Sequence, residues 1–326
     1  MKAIGVSGIF LLSVMMVGCS EDSSQSEWST FRGNIQHTGF YSGDAPIKLT
    51  ELKWKFKTRG TVFSSPAVSG GLVFFGSYEH YLYAVDIKTG QEKWKFKTED
   101  KVWSSPAVTG GLVFFGSYDH YLYAVDIETG QEKWKLKTGD AVWSSPTVSG
   151  GLVFFGSADG YLYAVDIETG QEKWKFKTES GILSSPAVLE SLVFWGSYDG
   201  YLYAVDMKTG QEKWKFKNEG SVHSSPAVSE GLVFFGSFDH CLYAVDIKTG
   251  QEKWRFKTGD AVWSSPAVSG GLVFFGSADS CLYAVDMKTG QEKWKFKTEG
   301  SIVSSPAVSK GMVFFGSNDG CLYAVR

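Results

Sequence analysis

The apolar and polar positions of this 326-residue chain recur with a period of 40 residues. The unit at 61–98 predicts four short strands, here called A to D: "SSPAV" (64–68), "LVFFG" (72–76), "YLYAVD" (81–86) and "EKWKFK" (92–97). Strand B is apolar on consecutive residues, which predicts burial of both its faces. Strand D alternates, with Trp94 and Phe96 on one face and lysines on the other, which is typical of an outer strand. No window shows the apolar stripe of a helix.

The repeat accounts for nearly the whole chain. Strands A, B and C occur seven times between 64 and 326, whereas strand D follows strand C six times and stands once alone, as "KWKFKT" at 53–58. The strand D tryptophans are Trp54, Trp94, Trp134, Trp174, Trp214, Trp254 and Trp294. We therefore predict an all-β, seven-bladed β-propeller of four-stranded antiparallel blades, closed by pairing of the N-terminal strand D with the C-terminal "CLYAVR".

Composition narrows the class of protein. Apolar residues make up 43% of the chain and aromatic residues 16%, which is enough for a large core. The net charge is −3, and a nucleic-acid binder would instead show a basic face. We expect no nucleic-acid partner.

The N-terminus carries a targeting signal. One lysine, an apolar run and small residues precede Cys19, and residues 16–19 resemble a bacterial lipobox. We expect a lipoprotein signal peptide at 1–18, a lipidated N-terminus on Cys19 with a tether and pre-repeat segment at 19–45, and the propeller at 46–326. An ordinary signal peptide cleaved nearby is the alternative. Ser20 after the cysteine implies, by resemblance to proteobacterial lipoproteins, an anchor in the outer membrane, with the protein facing the periplasm or the exterior.

"AVDIKTGQEKW" resembles the tryptophan-docking motif of pyrroloquinoline quinone (PQQ)-type propellers, and "WSTFRGNIQHTGF" (28–40) resembles the segment that often precedes such repeats. The resemblance implies that each strand D tryptophan docks between blades on the neighbouring motif. The repeated motif aspartates are expected to bond the turn that follows them. They are Asp86, Asp126, Asp166, Asp206, Asp246 and Asp286.

The PQQ-type propeller family that this chain resembles includes both enzymes and proteins without catalytic activity. Quinoprotein dehydrogenases of this family hold PQQ over Ca²⁺ and need a catalytic acid, whereas no unit here carries an acid that breaks the repeat. The lipobox and the repeat motif favour the BamB-like lipoprotein branch, which implies a non-enzymatic binding scaffold without cofactor or metal, possibly in outer-membrane protein assembly. A PQQ-dependent dehydrogenase and a purely structural envelope protein are the alternatives.

The copies differ mainly on one face of the predicted ring. Antiparallel topology places the D–A and B–C turns together there, and aromatic residues vary at two turn positions. The candidate binding rim before strand A consists of Phe63, Trp103, Trp143, His223 and Trp263. In the B–C turn it consists of Tyr78, Tyr118, Tyr198 and Phe238. We expect a monomer whose rim binds an envelope protein, peptide or glycan, since aromatic anchors dominate binding energies. Relaxed drift of surface loops is the alternative.

Two further sets of residues are predicted to be structural. Cys241, Cys281 and Cys321 occupy matched positions in successive units and are expected to be buried thiols, too far apart for disulfides. His80, His120 and His240 share one turn position in separate blades, where convergence on one metal ion is not expected.

Overall fold

The computed structural model describes residues 52–309 and 311–326, and within them the chain forms 27 strands in seven antiparallel sheets. Six sheets have four strands and the seventh has three, in sequence order. The described residues contain no helix. The predicted all-β, seven-bladed propeller is confirmed.

The strands recur in the same order in each sheet. The A strands are β1 (Ala67–Ser69), β5 (Ala107–Thr109), β9 (Thr147–Ser149), β13 (Ala187–Leu189), β17 (Ala227–Ser229), β21 (Ala267–Ser269) and β25 (Ala307–Ser309). The B strands are β2 (Leu72–Ser77), β6 (Leu112–Gly116), β10 (Leu152–Gly156), β14 (Leu192–Gly196), β18 (Leu232–Gly236), β22 (Leu272–Gly276) and β26 (Met312–Gly316).

The C and D strands complete the sheets. The C strands are β3 (Tyr81–Asp86), β7 (Tyr121–Asp126), β11 (Tyr161–Asp166), β15 (Tyr201–Asp206), β19 (Cys241–Asp246), β23 (Cys281–Asp286) and β27 (Leu322–Val325). The D strands are β4 (Glu92–Lys97), β8 (Glu132–Lys137), β12 (Glu172–Lys177), β16 (Glu212–Lys217), β20 (Glu252–Lys257) and β24 (Glu292–Lys297).

Strand A begins later than predicted. The strand of the first unit starts at Ala67 instead of Ser64, because Pro66 has no N–H to give to a ladder. The hydroxyl of Ser64 replaces backbone pairing there, since it accepts from the Gly76 N–H at 2.7 Å and donates to the Gly76 carbonyl at 3.1 Å.

The cores lie between neighbouring sheets. In one cluster Phe194 and Leu202 of the fourth sheet pack with Val233 and Phe235 of the fifth. Both faces of strand B are buried, as predicted, because each middle strand is covered by a sheet on either side. Burial of this kind stabilises a protein by about 25 cal/mol per Å² of apolar surface.

A belt of serines joins the seven A segments. The backbone N–H of Ser65 donates to the hydroxyl of Ser105 at 2.8 Å, and the same bond repeats from each sheet to the next until Ser265 donates to Ser305 at 3.1 Å. The belt therefore links all seven sheets through six equivalent steps.

The junction between the seventh and first sheets, here called the seam, lacks the strand pairing that was predicted to close the ring. Residues 53–58 form no strand, and no ladder joins them to β27 in the described part of the chain. Trp54 and Phe56 nevertheless lie on the first sheet, in the way that Trp94 and Phe96 lie on the second: Phe56 contacts Tyr83 at 5.2 Å between ring centroids, as Phe96 contacts Tyr123. The physical reason is that the other D strands are held in register by a short C–D turn, whereas 53–58 has no such connection to β27.

Exposed apolar side chains mark the seam. Leu322 is 79% exposed, whereas its counterpart Leu82 is fully buried. Val62 is 45% exposed, whereas its counterpart Val102 is fully buried. The expectation of three buried thiols is wrong for Cys321, which is exposed because no outer strand covers β27; Cys241 and Cys281 are buried as predicted.

Candidate functional site

The face that carries the D–A and B–C turns, here called the variable face, is built on a rigid frame. In the second sheet Asp119 accepts from the Tyr121 N–H at 3.2 Å and, with its other oxygen, from the Tyr123 hydroxyl at 2.8 Å and the Glu99 N–H at 3.0 Å. The next residue, His120, has φ 72° and occupies the left-handed position that glycine fills in other units. One carboxylate thus fixes the B–C turn against the D–A turn.

Five of the nine predicted rim residues form one continuous set of ring contacts, which we call the first aromatic series. Phe63 contacts Tyr78 at 4.9 Å and Trp103 at 5.7 Å between centroids. Trp103 stacks on Tyr118 at 5.7 Å, and Tyr118 contacts Trp143 at 5.5 Å. The series crosses three neighbouring sheets.

The other four rim residues form the second aromatic series. Tyr198 stacks on His223 at 3.9 Å, and His223 contacts Phe238 at 4.1 Å. Phe238 in turn contacts Trp263 at 4.5 Å. All nine residues that the sequence proposes for the rim therefore fall in two ring clusters, and Phe63, Trp103 and Trp263 keep more than a third of their surface exposed.

Burial dominates the electrostatics of the inner rings. It raises the pKa of Tyr118 well above its usual range. Burial also raises the pKa of Tyr198. It lowers the pKa of His223 to about 4, so the imidazole that joins Tyr198 to Phe238 is neutral at pH 7.

Sequence reasoning missed one cation in the first series. The ammonium of Lys101 lies 4.9 Å from the ring centroid of Tyr78 and 5.6 Å from that of Tyr118. The signal was available, because the equivalent positions in the other units are Thr, Ala, Gly or Ser. A lysine over two phenol faces adds a cation–π interaction and a hydrogen-bond donor beside Trp103.

One polar atom of the first series lacks a protein partner. The Nε1–H of Trp143 is shielded from solvent and has no acceptor among the described residues. An unsatisfied donor of this kind costs about 1–3 kcal/mol.

The histidines of the B–C turns lie apart from these rings. His80, His120 and His240 each pair with an aspartate 20 residues further on, at Nε2–Oδ1 distances of 3.7–3.9 Å. Within 52–309 and 311–326 no group of three or more His, Cys, Asp or Glu side chains is arranged to hold a metal ion. A search of the same residues for helices found none with the length and hydropathy that crossing a membrane requires.

Six of the seven strand D tryptophans lie on a turn of the following sheet. Trp94 Nε1 donates to the Ile127 carbonyl of the next sheet at 3.0 Å, and the indole lies on Gly130 so closely that a Cβ there would be 2.6 Å from ring atoms. The same docking holds for Trp54, Trp134, Trp174, Trp214 and Trp254. Trp294 is the exception and faces no such turn among the described residues.

The motif aspartates have the predicted structural role. Asp86 accepts from the Thr89 N–H at 2.9 Å, the Lys88 N–H and the Thr89 hydroxyl, and the pKa of Asp86 falls to about 2 as a result. Equivalent bonds occur at all six positions. The predicted lipidation residue, Cys19, lies outside the described residues.

These features define a β-propeller whose blades are joined by docked tryptophans and whose variable face is aromatic. The chain belongs to the family described as the beta-propeller of beta-alanine-activating enzyme, whose sequence model matches residues 46–230 and again 148–326.

Solved structures show the same fold. The chain is similar to the crystal structure of BamB from Moraxella catarrhalis, with a TM-score of 0.75 and 20% identity over 84% of this chain and 88% of that one. It is also similar to the computationally designed protein Ika8, with a TM-score of 0.54 and 21% identity over 82% and 96% of the two chains. The predicted likeness to BamB is thus confirmed for the fold. No curated protein matches the chain.

Proposed function

We propose that this protein is a non-enzymatic, lipid-anchored scaffold of the bacterial cell envelope, which binds a partner protein through its variable face. The observation that carries the proposal is the concentration of nine aromatic residues on one face of otherwise repeated sheets. The opposite face, here called the uniform face, carries nearly unchanged A–B and C–D turns.

The chemistry of the variable face suits a protein segment. Exposed Trp103 and Trp263 offer flat apolar anchors of the kind that dominate protein interfaces. The ammonium of Lys101, over the rings of Tyr78 and Tyr118, offers a hydrogen-bond donor on the same face, which suits the carbonyls of an extended peptide. Membership of a β-propeller family and likeness to BamB support a scaffold role and, by analogy, a place at the outer membrane.

The six motif aspartates argue for scaffold rather than catalyst. Each of them accepts hydrogen bonds from its own turn, and all six also pair with a strand D lysine at 3.1–3.4 Å. A general base needs a special environment at one site, and these carboxylates share one environment.

The test is photochemical crosslinking in intact cells. A photoreactive amino acid at a neighbouring exposed position, Val303, should give a discrete protein adduct, and the double variant Trp103→Ala, Trp263→Ala should lose it. Each anchor is expected to contribute about 2 kcal/mol, which is about thirtyfold in Kd. An adduct of unchanged yield in the double variant would refute the proposal, and an adduct with glycan instead of protein would change the class of partner.

The matched control lies on the uniform face. Ile87 is 39% exposed, and Ile87→Ala leaves the carbonyl that Trp54 uses. This variant should give the adduct at full yield. The lipid anchor is tested separately: Cys19→Ser should abolish incorporation of labelled palmitate and release the protein from the membrane fraction.

A further inference from the structure

A pocket of about 230 Å³ opens on the outer side of the fifth sheet. Its walls come from β19, from β20, from the B–C turn of the sheet and from the D–A turn that leads into it. The lining residues are Glu219, Asp239, Cys241, Tyr243, Arg255 and Lys257. None of the nine rim residues is among them, so the pocket is separate from the two aromatic series.

Two departures from the repeat meet at this pocket. Cys241 replaces a tyrosine that the first four sheets have at the same position, as Tyr81, Tyr121, Tyr161 and Tyr201. Arg255 is the one arginine in a strand D column that otherwise contains lysine. The backbone register is unchanged, since Cys241 lies opposite Lys257 as Tyr161 lies opposite Lys177. The fifth sheet therefore differs here in its side chains and not in its frame.

The first four sheets show which group belongs in this place. In each of them an ammonium of strand D lies over the tyrosine ring, with 5.3–5.4 Å from Nζ to the ring centroid. In the third sheet the ring of Tyr161 contacts two cations, since Lys175 lies 5.3 Å and Lys177 lies 4.2 Å from its centroid. The fifth sheet has the same two cations, as Arg255 and Lys257, but no ring of its own at this position.

We propose that this pocket binds the side chain of a tyrosine from another protein, whose ring takes the place that Tyr161 holds in the third sheet. A planar guanidinium stacks on an aromatic face and is less strongly hydrated than an ammonium, so Arg255 favours such a ligand more than a lysine would. The exposed carboxylate of Glu219 lies at the same pocket and can accept a hydrogen bond from the phenol. The two cations and two carboxylates of the lining balance in charge, which suits a neutral ring.

Binding of p-cresol, which is the tyrosine side chain as a free molecule, tests the proposal by NMR on the full chain. The ring should move the Nε–H signal of Arg255 upfield and should also shift the backbone amide signal of Cys241. 4-Methylcyclohexanol has a similar size and a hydroxyl but no π face, and it should bind at least about threefold more weakly. Arg255→Gln should weaken the binding of p-cresol to a similar extent, as measured at the Cys241 amide.

The decisive variant is Cys241→Tyr. It restores the residue that the first four sheets have at this position, so the protein should fold normally. The ring that it introduces should move the Arg255 Nε–H signal upfield without p-cresol and should abolish the response to p-cresol. The matched control is Cys281→Tyr, which makes the same substitution in the sixth sheet and should leave the response at Arg255 unchanged.

Several results would overturn the proposal. They are an Arg255 signal that does not move up to the solubility limit of p-cresol, equal affinity for 4-methylcyclohexanol, and a response that survives Cys241→Tyr. Loss of the response in Cys281→Tyr would also overturn it, because the effect of a new ring would then not come from the pocket. None of these measurements involves Trp103 or Trp263, so the tyrosine pocket and the function proposed for the variable face can fail independently.

Discussion

Gly236 and Gly316 occupy the same position at the end of strand B in the fifth and seventh sheets, yet their surroundings differ. A Cβ at Gly236 would be 2.4 Å from the Val262 Cγ1 and 2.5 Å from the Val262 carbonyl oxygen. A Cβ at Gly316 would have its nearest neighbour at 3.6 Å, the hydroxyl of Ser304. The difference arises because Val262 is buried in the next sheet, whereas Val62 is not inserted beside Gly316.

Gly236→Ala should therefore destabilise the protein and Gly316→Ala should not. Overpacking costs about 1–3 kcal/mol, and we expect the upper end because a rotamer change of Val262 cannot move its carbonyl. Neither glycine has a positive φ, so alanine is compatible with the backbone at both. At Gly316 the reduced freedom of the unfolded chain should even stabilise the protein, by about 0.4–1 kcal/mol.

Equilibrium unfolding in urea measures both effects. With a slope of about 3 kcal/mol/M, Gly236→Ala should lower the midpoint by about 1 M, while Gly316→Ala should leave it unchanged or slightly higher. Hydrogen exchange should locate the first effect between the fifth and sixth sheets. Equal destabilisation by both substitutions would refute the reasoning, because it would mean that Val62 fills the seventh interface as Val262 fills the fifth.

Three further predictions concern titration and thiol reactivity. The pKa of Asp246 is lowered to about 2 by Lys253 and by the Thr249 N–H. The contribution of Asp246 to stability is therefore complete above about pH 4 and is lost as the pH falls toward 2. With Asp246→Asn, the urea unfolding midpoint should depend less on pH between about pH 5 and 2. The pKa of His223 is lowered to about 4, so stability should fall as the pH drops from about 6.5 to 4, and an NMR titration that gave His223 a pKa near 6.5 would contradict this. Cys321 should react quickly with a thiol reagent while buried Cys241 stays unmodified in the native protein, and Cys321→Ser should remove the fast phase.

Strands B, C and D could be placed from the sequence because their patterns are local. Continuous apolar residues, alternation and turn glycines fix the bounds of β3 (Tyr81–Asp86) and β4 (Glu92–Lys97) as predicted. The start of strand A could not be placed, since Ser64 bonds Gly76 through its side chain instead of its backbone. The seam could not be settled either, because it depends on packing between the two ends of the chain.

The residues of the candidate site could be proposed from the sequence, but the grouping of their rings could not. Internal comparison of the copies was enough to propose all nine rim residues, because the two columns that contain them vary within a 40-residue repetition that is otherwise nearly constant. It could not show that the rings divide into two series, since that depends on distances between sheets. Lys101 is a single departure from the small residues of its column, and its place over Tyr78 and Tyr118 depends on packing between neighbouring turns.

The division of the variable face follows from the two turn positions that carry its rings. Tyr78, Tyr118 and Phe238 each bridge the residues before strand A in two neighbouring units, as Tyr118 does by contacting both Trp103 and Trp143. Tyr198 stacks on His223 of the next unit, and the residue before strand A in its own unit, Leu183, has no ring. Ala158 and Ala278 occupy the same position without a ring, and there the chain of contacts stops after Trp143 and after Trp263. The frame beneath is unchanged at these sites, since Asp159 and Asp279 still bind the following tyrosines at 2.7 and 2.8 Å. A repeated scaffold can thus acquire a shaped surface by losing a ring at adjacent turn positions, and Ala158→Tyr combined with Leu183→Trp should join the two aromatic series without altering the sheet that carries them.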